Sequence, residues 1–148
     1  YNGYLGGMRR VEYFVENNIN VVDISGTYQT RMALDDAGNV YAWGRGYYGE
    51  MGAGVRRDNN PIPSLVPGLP KIARIITNNG ETLGQNYAID YDGNIWAWGN
   101  NAYGALGIAP ASEYRATPTK LNIPSAAKIV DIAAGDYYTH ALDANGDI

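Results

Sequence analysis

The sequence has no cysteine, one histidine and one phenylalanine among its 148 residues. The absence of cysteine excludes disulfides and any thiolate metal or redox site. A single His140 cannot build a zinc site. No apolar run approaches the roughly 18 residues that span a bilayer, and the N-terminus lacks a signal-peptide core. Charge is sparse, at 18% of residues, and its balance of −4 gives a pI near 4.8. Nucleic acid, which needs a basic footprint, is therefore not an expected partner. No Gly-x-Ser-x-Gly nucleophile elbow occurs and no cluster of carboxylates converges on one motif, so no enzyme is expected. Helical periodicity is also missing.

What is abundant is glycine (19), tyrosine (13) and asparagine. Glycine and asparagine supply positive-φ turns and tyrosine suits strands, which points to turn-rich β structure in one domain. The acidic, cysteine-free, Tyr/Asn-rich composition suggests a secreted or cell-surface microbial protein. Tyr1 at the start is compatible with a removed leader or an excerpted segment.

The chain repeats. Residues 21–52 align with 72–107, so that Gly38 falls on Gly93, Trp43 on Trp98, Gly44 on Gly99, Gly49 on Gly104 and Gly52 on Gly107, each 55 apart. A third copy opens at 129 and stops at 148, and "GYLG" at 3–6 matches the corners "GEMG" and "GALG". Each unit carries an upstream apolar run (21–24, 72–76, 129–132), then two short alternating stretches joined by "DDAGN", "DYDGN" or "DANGD". Such Asp-Gly and Asn-Gly turns are the strongest local hairpin signal. Proline-rich connectors at 59–70 and 117–124 leave room for an outer strand near Ser64–Val66 and Thr119–Leu121, because an edge strand tolerates proline. Four short strands per unit of about 53 residues is the arithmetic of a β-propeller blade. The expected units are 1–20 (the tail of a preceding unit), 21–70, 71–124 and an incomplete 125–148.

These motifs, "VVDISG…MALDDAGNVYAWGRGYYGEMG", "YAIDYDGNIWAWGNNAYGALG" and "IVDIAAGDYYTHALDANGDI", resemble the repeats of the regulator of chromosome condensation family. The resemblance implies an all-β fold of four-stranded antiparallel blades, about three blades of a seven-bladed ring. The rest of the ring would come from further blades of the same propeller or from a homo-oligomer. Departures include Gly46 where the second copy has the usual Asn101, and Met51 in place of Leu. The resemblance further implies a non-catalytic scaffold without cofactor. Binding of a protein or cell-surface macromolecule is the first reading. Nucleotide exchange on a small GTPase, or chromatin docking, in the nucleus or cytoplasm is the alternative.

Within Trp43–Gly54, Gly44-Arg45-Gly46-Tyr47-Tyr48-Gly49 literally matches a dinucleotide loop. That motif requires a following helix, which "EMGAGVRRDNNPIP" cannot form, so the glycines are read as structural punctuation. The set Asp90, Asp92, Asn94 faintly resembles a calcium loop, but the repeat slot holds turn residues in every copy. Tyr41 with Trp43, and Trp96 with Trp98, share strand faces by period 2 and are expected to pack between blades. Tyr28, Tyr47, Tyr48, Tyr103, Tyr137 and Tyr138 fall in or beside loops, where a propeller presents its rims, and are the candidate partner-binding residues. Arg56 and Arg57 are a candidate basic spot beside them.

Overall fold

The computed structural model describes residues 11–27, 29–78 and 84–148, with the side chains of residues 57 and 58 outside the description. Among these residues, ten strands follow one short α-helical turn, α1 (Glu12–Glu16). The first sheet runs β1 (Val21–Gly26), β2 (Thr30–Asp35), β3 (Val40–Gly46) and β4 (Arg57–Leu65) in simple order. The second repeats it with β5 (Ile72–Thr77), β6 (Gln85–Asp90), β7 (Ile95–Asn100) and β8 (Tyr114–Lys120). The third contains β9 (Ile129–Ala134) and β10 (Thr139–Asp143). Every neighbouring pair is antiparallel.

The Asp turns are built as the sequence suggests. Asp90 accepts the backbone N–H of Asp92 (3.0 Å) and of Asn94 (2.9 Å), the Asn94 amide, and the Trp96 indole N–H at 3.1 Å. Asp35 does the same for Ala37, Asn39 and the Tyr41 hydroxyl, and Asp143 for Asn145 and Asp147. These carboxylate oxygens serve N–H and O–H donors, so turn chemistry accounts for the acidic residues there. The Trp-Gly step also has a steric cause: a Cβ at Gly99 would collide with the carbonyl of Gly84, just before the facing strand.

Two apolar layers lie between successive sheets. The first joins Met32, Leu34, Val40, Ala42, Met51 and Val66 to Ile72, Ile75, Ala88 and Trp98. The second joins Tyr87, Ile89, Ile95, Ala97 and Leu106 to Ile129 and Ile132. Trp98 is fully buried in the first layer and Trp96 packs against it, as expected of inter-blade residues. Tyr41 and Trp43 instead pack against Phe14, and Tyr41 also against Tyr13. The face of β3 that corresponds to the Trp face of β7 is thus covered by α1 among the described residues.

A polar clamp repeats across both junctions. The Glu50 carbonyl accepts the Trp98 indole N–H (2.9 Å) and the Asn86 amide (2.8 Å) of the next sheet. The Ala105 carbonyl, 55 residues on, accepts the Thr139 hydroxyl of the third sheet at 2.9 Å and, within its own sheet, the Tyr87 hydroxyl at 3.3 Å. Backbone bonds seal the opposite end: Ile72 N–H to Gly38 O (3.0 Å) and Ile129 N–H to Gly93 O (3.2 Å).

Two sequence expectations change. The α1 turn was not foreseen, because five residues carry too little period and its one buried residue, Phe14, is held by tertiary contact. The outer strands are longer than expected and begin earlier, at Arg57 and Tyr114. Pro61 and Pro63 fit within β4 because it lies at the sheet edge, where register shifts interrupt its ladder with β3.

Candidate partner-binding rim

Strand direction gives each sheet two ends. The Asp turns close one; the β1–β2, β3–β4, β5–β6, β7–β8 and β9–β10 connections close the other. Inter-sheet bonds align these ends, with Ser25 Oγ 2.9 Å from Thr77 Oγ1 and the Gln85 amide donating to the Asp136 carbonyl at 3.2 Å. Tyr47, Tyr48, Tyr103, Tyr137 and Tyr138 therefore share one end, contributed by three successive sheets. Tyr28 and the side chain of Arg57 lie outside the described residues; the Arg57 backbone starts β4 opposite Gly46.

At the first junction the side chains interlock. Tyr47 and Tyr48 meet edge to face at 5.0 Å. The Arg56 guanidinium sits 4.0 Å from the Tyr114 ring centroid and 5.2 Å from that of Tyr47, and pairs with the Glu113 carboxylate at 2.7 Å. Arg56 thus packs on two rings with Glu113 as its counter-ion. The corner loop of the first sheet runs along β8, with Gly54 N–H bonded to Ala116 O at 2.8 Å.

Below this cluster lies Glu50, only 2% exposed. Its Oε2 accepts the Tyr48 backbone N–H at 2.7 Å, and its side chain packs so tightly on Gly84 that a Cβ there would come within 2.6 Å of Cγ. Burial raises the Glu50 carboxyl above the ordinary glutamate value, against the opposing pull of those N–H bonds and of Arg45 and Arg56. Sequence reasoning missed Glu50, Glu113, Tyr114 and Asp136. For Glu50 a signal existed: it is a charged residue between two corner glycines, where the equivalent residue is Ala105.

The second junction is more open. Tyr103 and Tyr137 meet at 5.5 Å and 69°, and are 80% and 66% exposed. Tyr103 holds φ +61° beside Gly104. Asn101, absent from the first sheet where Gly46 stands, ties its loop by accepting Leu106 N–H (3.2 Å) and donating to Ile108 O (3.2 Å). Tyr138 meets His140 at 5.3 Å with the rings tilted by 54°, and His140 is exposed on β10. The Gly44–Gly49 match to a nucleotide loop falls on the end of β3 and a turn, followed by bends and β4, so no helix dipole stands behind it.

A cleft of about 1050 Å³ lies away from the rim tyrosines. Phe14, Ile19, Val21, Ile24, Met32 and Trp43 line it on the outer face of the first sheet. No described helix is long and apolar enough to cross a membrane.

Four-stranded antiparallel sheets, packed face to face through a repeating clamp and presenting loops at one end, define blades of a β-propeller. The signature of the regulator of chromosome condensation (RCC1) repeat matches residues 37–77 and 92–142, and the chain belongs to that family. It is 29% identical over 132 residues to the probable E3 ubiquitin-protein ligase HERC4 of Rattus norvegicus and 33% identical over 116 residues to the E3 ubiquitin-protein ligase HERC2 of Homo sapiens. These alignments cover 89% and 78% of this chain but only 12% and 2% of those relatives. Among solved structures, yeast RCC1 (Prp20) bound to Kap60 superposes with TM-score 0.74 at 25% identity, over 87% of this chain and 29% of that one. Prp20p of Saccharomyces cerevisiae, described with its binding to Gsp1p and histones, superposes with TM-score 0.68 at 18% identity, over 78% and 29%.

Proposed function

We propose that this chain is part of a non-catalytic propeller scaffold that binds a protein partner through its loop end. The observation that carries this reading is the gathering of Tyr47, Tyr48, Tyr103, Tyr137 and Tyr138, from three sheets, on one end. Tyrosine offers large amphipathic contact area at small entropic cost, and clustered rings of this kind dominate interface energetics. Further blades complete the ring. The apolar outer face of the first sheet, which carries Val21 and the exposed Ile24, is the surface against which a preceding blade would pack.

The named relatives come from rat, human and yeast, and they support a protein-interaction role without supporting the microbial, secreted placement suggested by composition. The regulatory alternative, exchange on a small GTPase or chromatin docking, draws on the likeness to Prp20p. Affinity capture with the intact propeller tests the first reading. Tyr47→Ala with Tyr48→Ala should weaken capture of the partner, and unchanged capture removes that part of the rim. Acceleration of nucleotide release from a small GTPase would instead favour the alternative.

A further inference from the structure

The leading strands β1, β5 and β9 share one register. Asp23 pairs with Leu34, Arg74 with Ile89 and Asp131 with Leu142, and just before each the ladder slips by one residue, at Val22, Ala73 and Val130. The third residue of each strand is thus Asp23, Arg74 and Asp131. At the second junction Arg74 Nη1 reaches forward to the Val130 carbonyl (2.7 Å) and the Asp131 carboxylate (3.1 Å) of the next sheet. Asp131 is braced for this by the Ile132 N–H, which donates to its Oδ1 at 2.9 Å. Asp23 carries the same brace, from Ile24 N–H to Oδ1 at 2.9 Å, beside the same slip in the ladder. Among the described residues no cation forms an ion pair with it. The flank beside it is also uncovered: Ile24 is 74% exposed, whereas Ile75 and Ile132, at the same strand position, are 5% and 7% exposed.

We propose that Asp23 and the Val22 carbonyl receive the guanidinium or ammonium group of a preceding blade of the same polypeptide, one whose first strand carries Arg or Lys at its third position. The inference rests on the reading that further blades complete the ring. A carbonyl and a carboxylate side by side form a two-point acceptor suited to arginine, and Arg74 shows this fold using it. The described sheets cannot supply the cation themselves. In a head-to-tail ring of identical chains the third sheet would stand before the first and set Asp131 against Asp23, carboxylate to carboxylate. The second sheet offers Arg74, but both of its faces are already packed. Charge thus selects a blade of different sequence over a second copy of this chain.

The test is thermal melting of the intact propeller at low and high salt. Asparagine keeps the Oδ1 that braces the backbone and removes only the charge, so the variants are Asp23→Asn, Asp131→Asn as the reference pair, and Asp92→Asn in an exposed turn as the control. Asp23→Asn and Asp131→Asn should each lower the melting temperature by about 1–3 °C at low salt, with the loss shrinking as salt screens the pair. Asp23→Arg should lower it further, while Asp92→Asn leaves it unchanged. Ile24→Ser, which reports whether a blade covers the flank, should cost at least about 5 °C. Asp23→Asn melting with the control overturns the proposal. If Ile24→Ser is still costly in that case, a blade without the cation covers the flank and the ring reading stands; if it too is silent, the ring reading falls as well. A loss at Asp23 without one at Ile24 means a lone cation and no blade, and also overturns the proposal. A rise on Asp23→Arg, with self-association in sedimentation, overturns it in favour of a second copy presenting its own Asp131.

Discussion

Gly52 and Gly107 occupy the same corner in successive repeats, and an alanine at each should separate two costs that are usually measured together. Both have positive φ, +66° and +74°. An L-residue in that region costs about 1–2 kcal/mol wherever it occurs. The surroundings differ. A Cβ on Gly52 would stand 2.7 Å from Val66 Cγ1 and 3.2 Å from the Trp98 indole nitrogen, whereas on Gly107 the nearest atom is Leu121 Cδ1 at 3.9 Å. Trp98 cannot yield easily, because it is buried and its N–H is committed to the Glu50 carbonyl. Overpacking of such a site adds about 1–3 kcal/mol. Gly107→Ala should therefore lose about 1–2 kcal/mol and Gly52→Ala about 2–5 kcal/mol, each kcal/mol lowering the melting temperature by about 2–4 °C. Urea denaturation followed by tryptophan fluorescence, with thermal melting by circular dichroism, reads both. Equal losses at the two corners would refute the reasoning, since they would show that the indole and Val66 move aside without cost.

Two further outcomes concern ionisation. In Asp35 and Asp90 burial favours the neutral acid, but the surrounding N–H and O–H donors outweigh it and hold both carboxyls below the ordinary aspartate value. Their contribution is complete above the unfolded pKa of about 3.9 and is lost as pH falls through the lower folded values, so the urea midpoint should drop in that acid range and Asp90→Asn should flatten part of the drop. Glu50 has the opposite sign: its folded pKa is raised, so its ionised form penalises the fold as pH rises through that value. Glu50→Gln should be more stable than wild type at neutral pH, an advantage that shrinks on acidification. A variant less stable at neutral pH would show that Arg45 and Arg56 outweigh the burial.

Features with local causes could be read from the sequence. The Asp-Gly and Asn-Gly turns, the Trp-Gly steps and the corner glycines each answer a backbone requirement within a few residues, and repetition multiplied the signal. Features settled by the neighbouring blade could not be read. Nothing near Glu50 in sequence shows that Gly84 will seal its carboxyl from water, nor that Arg56 will find Glu113. The outer strands were legible only in part because their proline-containing edges form interrupted ladders. The α1 turn escaped because its helix has no independent stability and exists where Phe14 meets Tyr41 and Trp43. For the rim, the tyrosines were visible as loop residues, while their common end followed only from strand direction.

The clamp at each corner addresses a main-chain oxygen. Glu50 and Ala105 supply the same acceptor although one side chain is a carboxylate and the other a methyl group, and the donors from the next sheet change from indole and amide to the Thr139 hydroxyl. The architecture is consequently blind to side-chain identity at that position. Evolution can rewrite the residue under the rim, and with it the charge and posture of the tyrosines above, while leaving the seam between blades intact. A repeat array joined this way can diversify its contact surface one junction at a time, because each change is felt only by the adjoining unit.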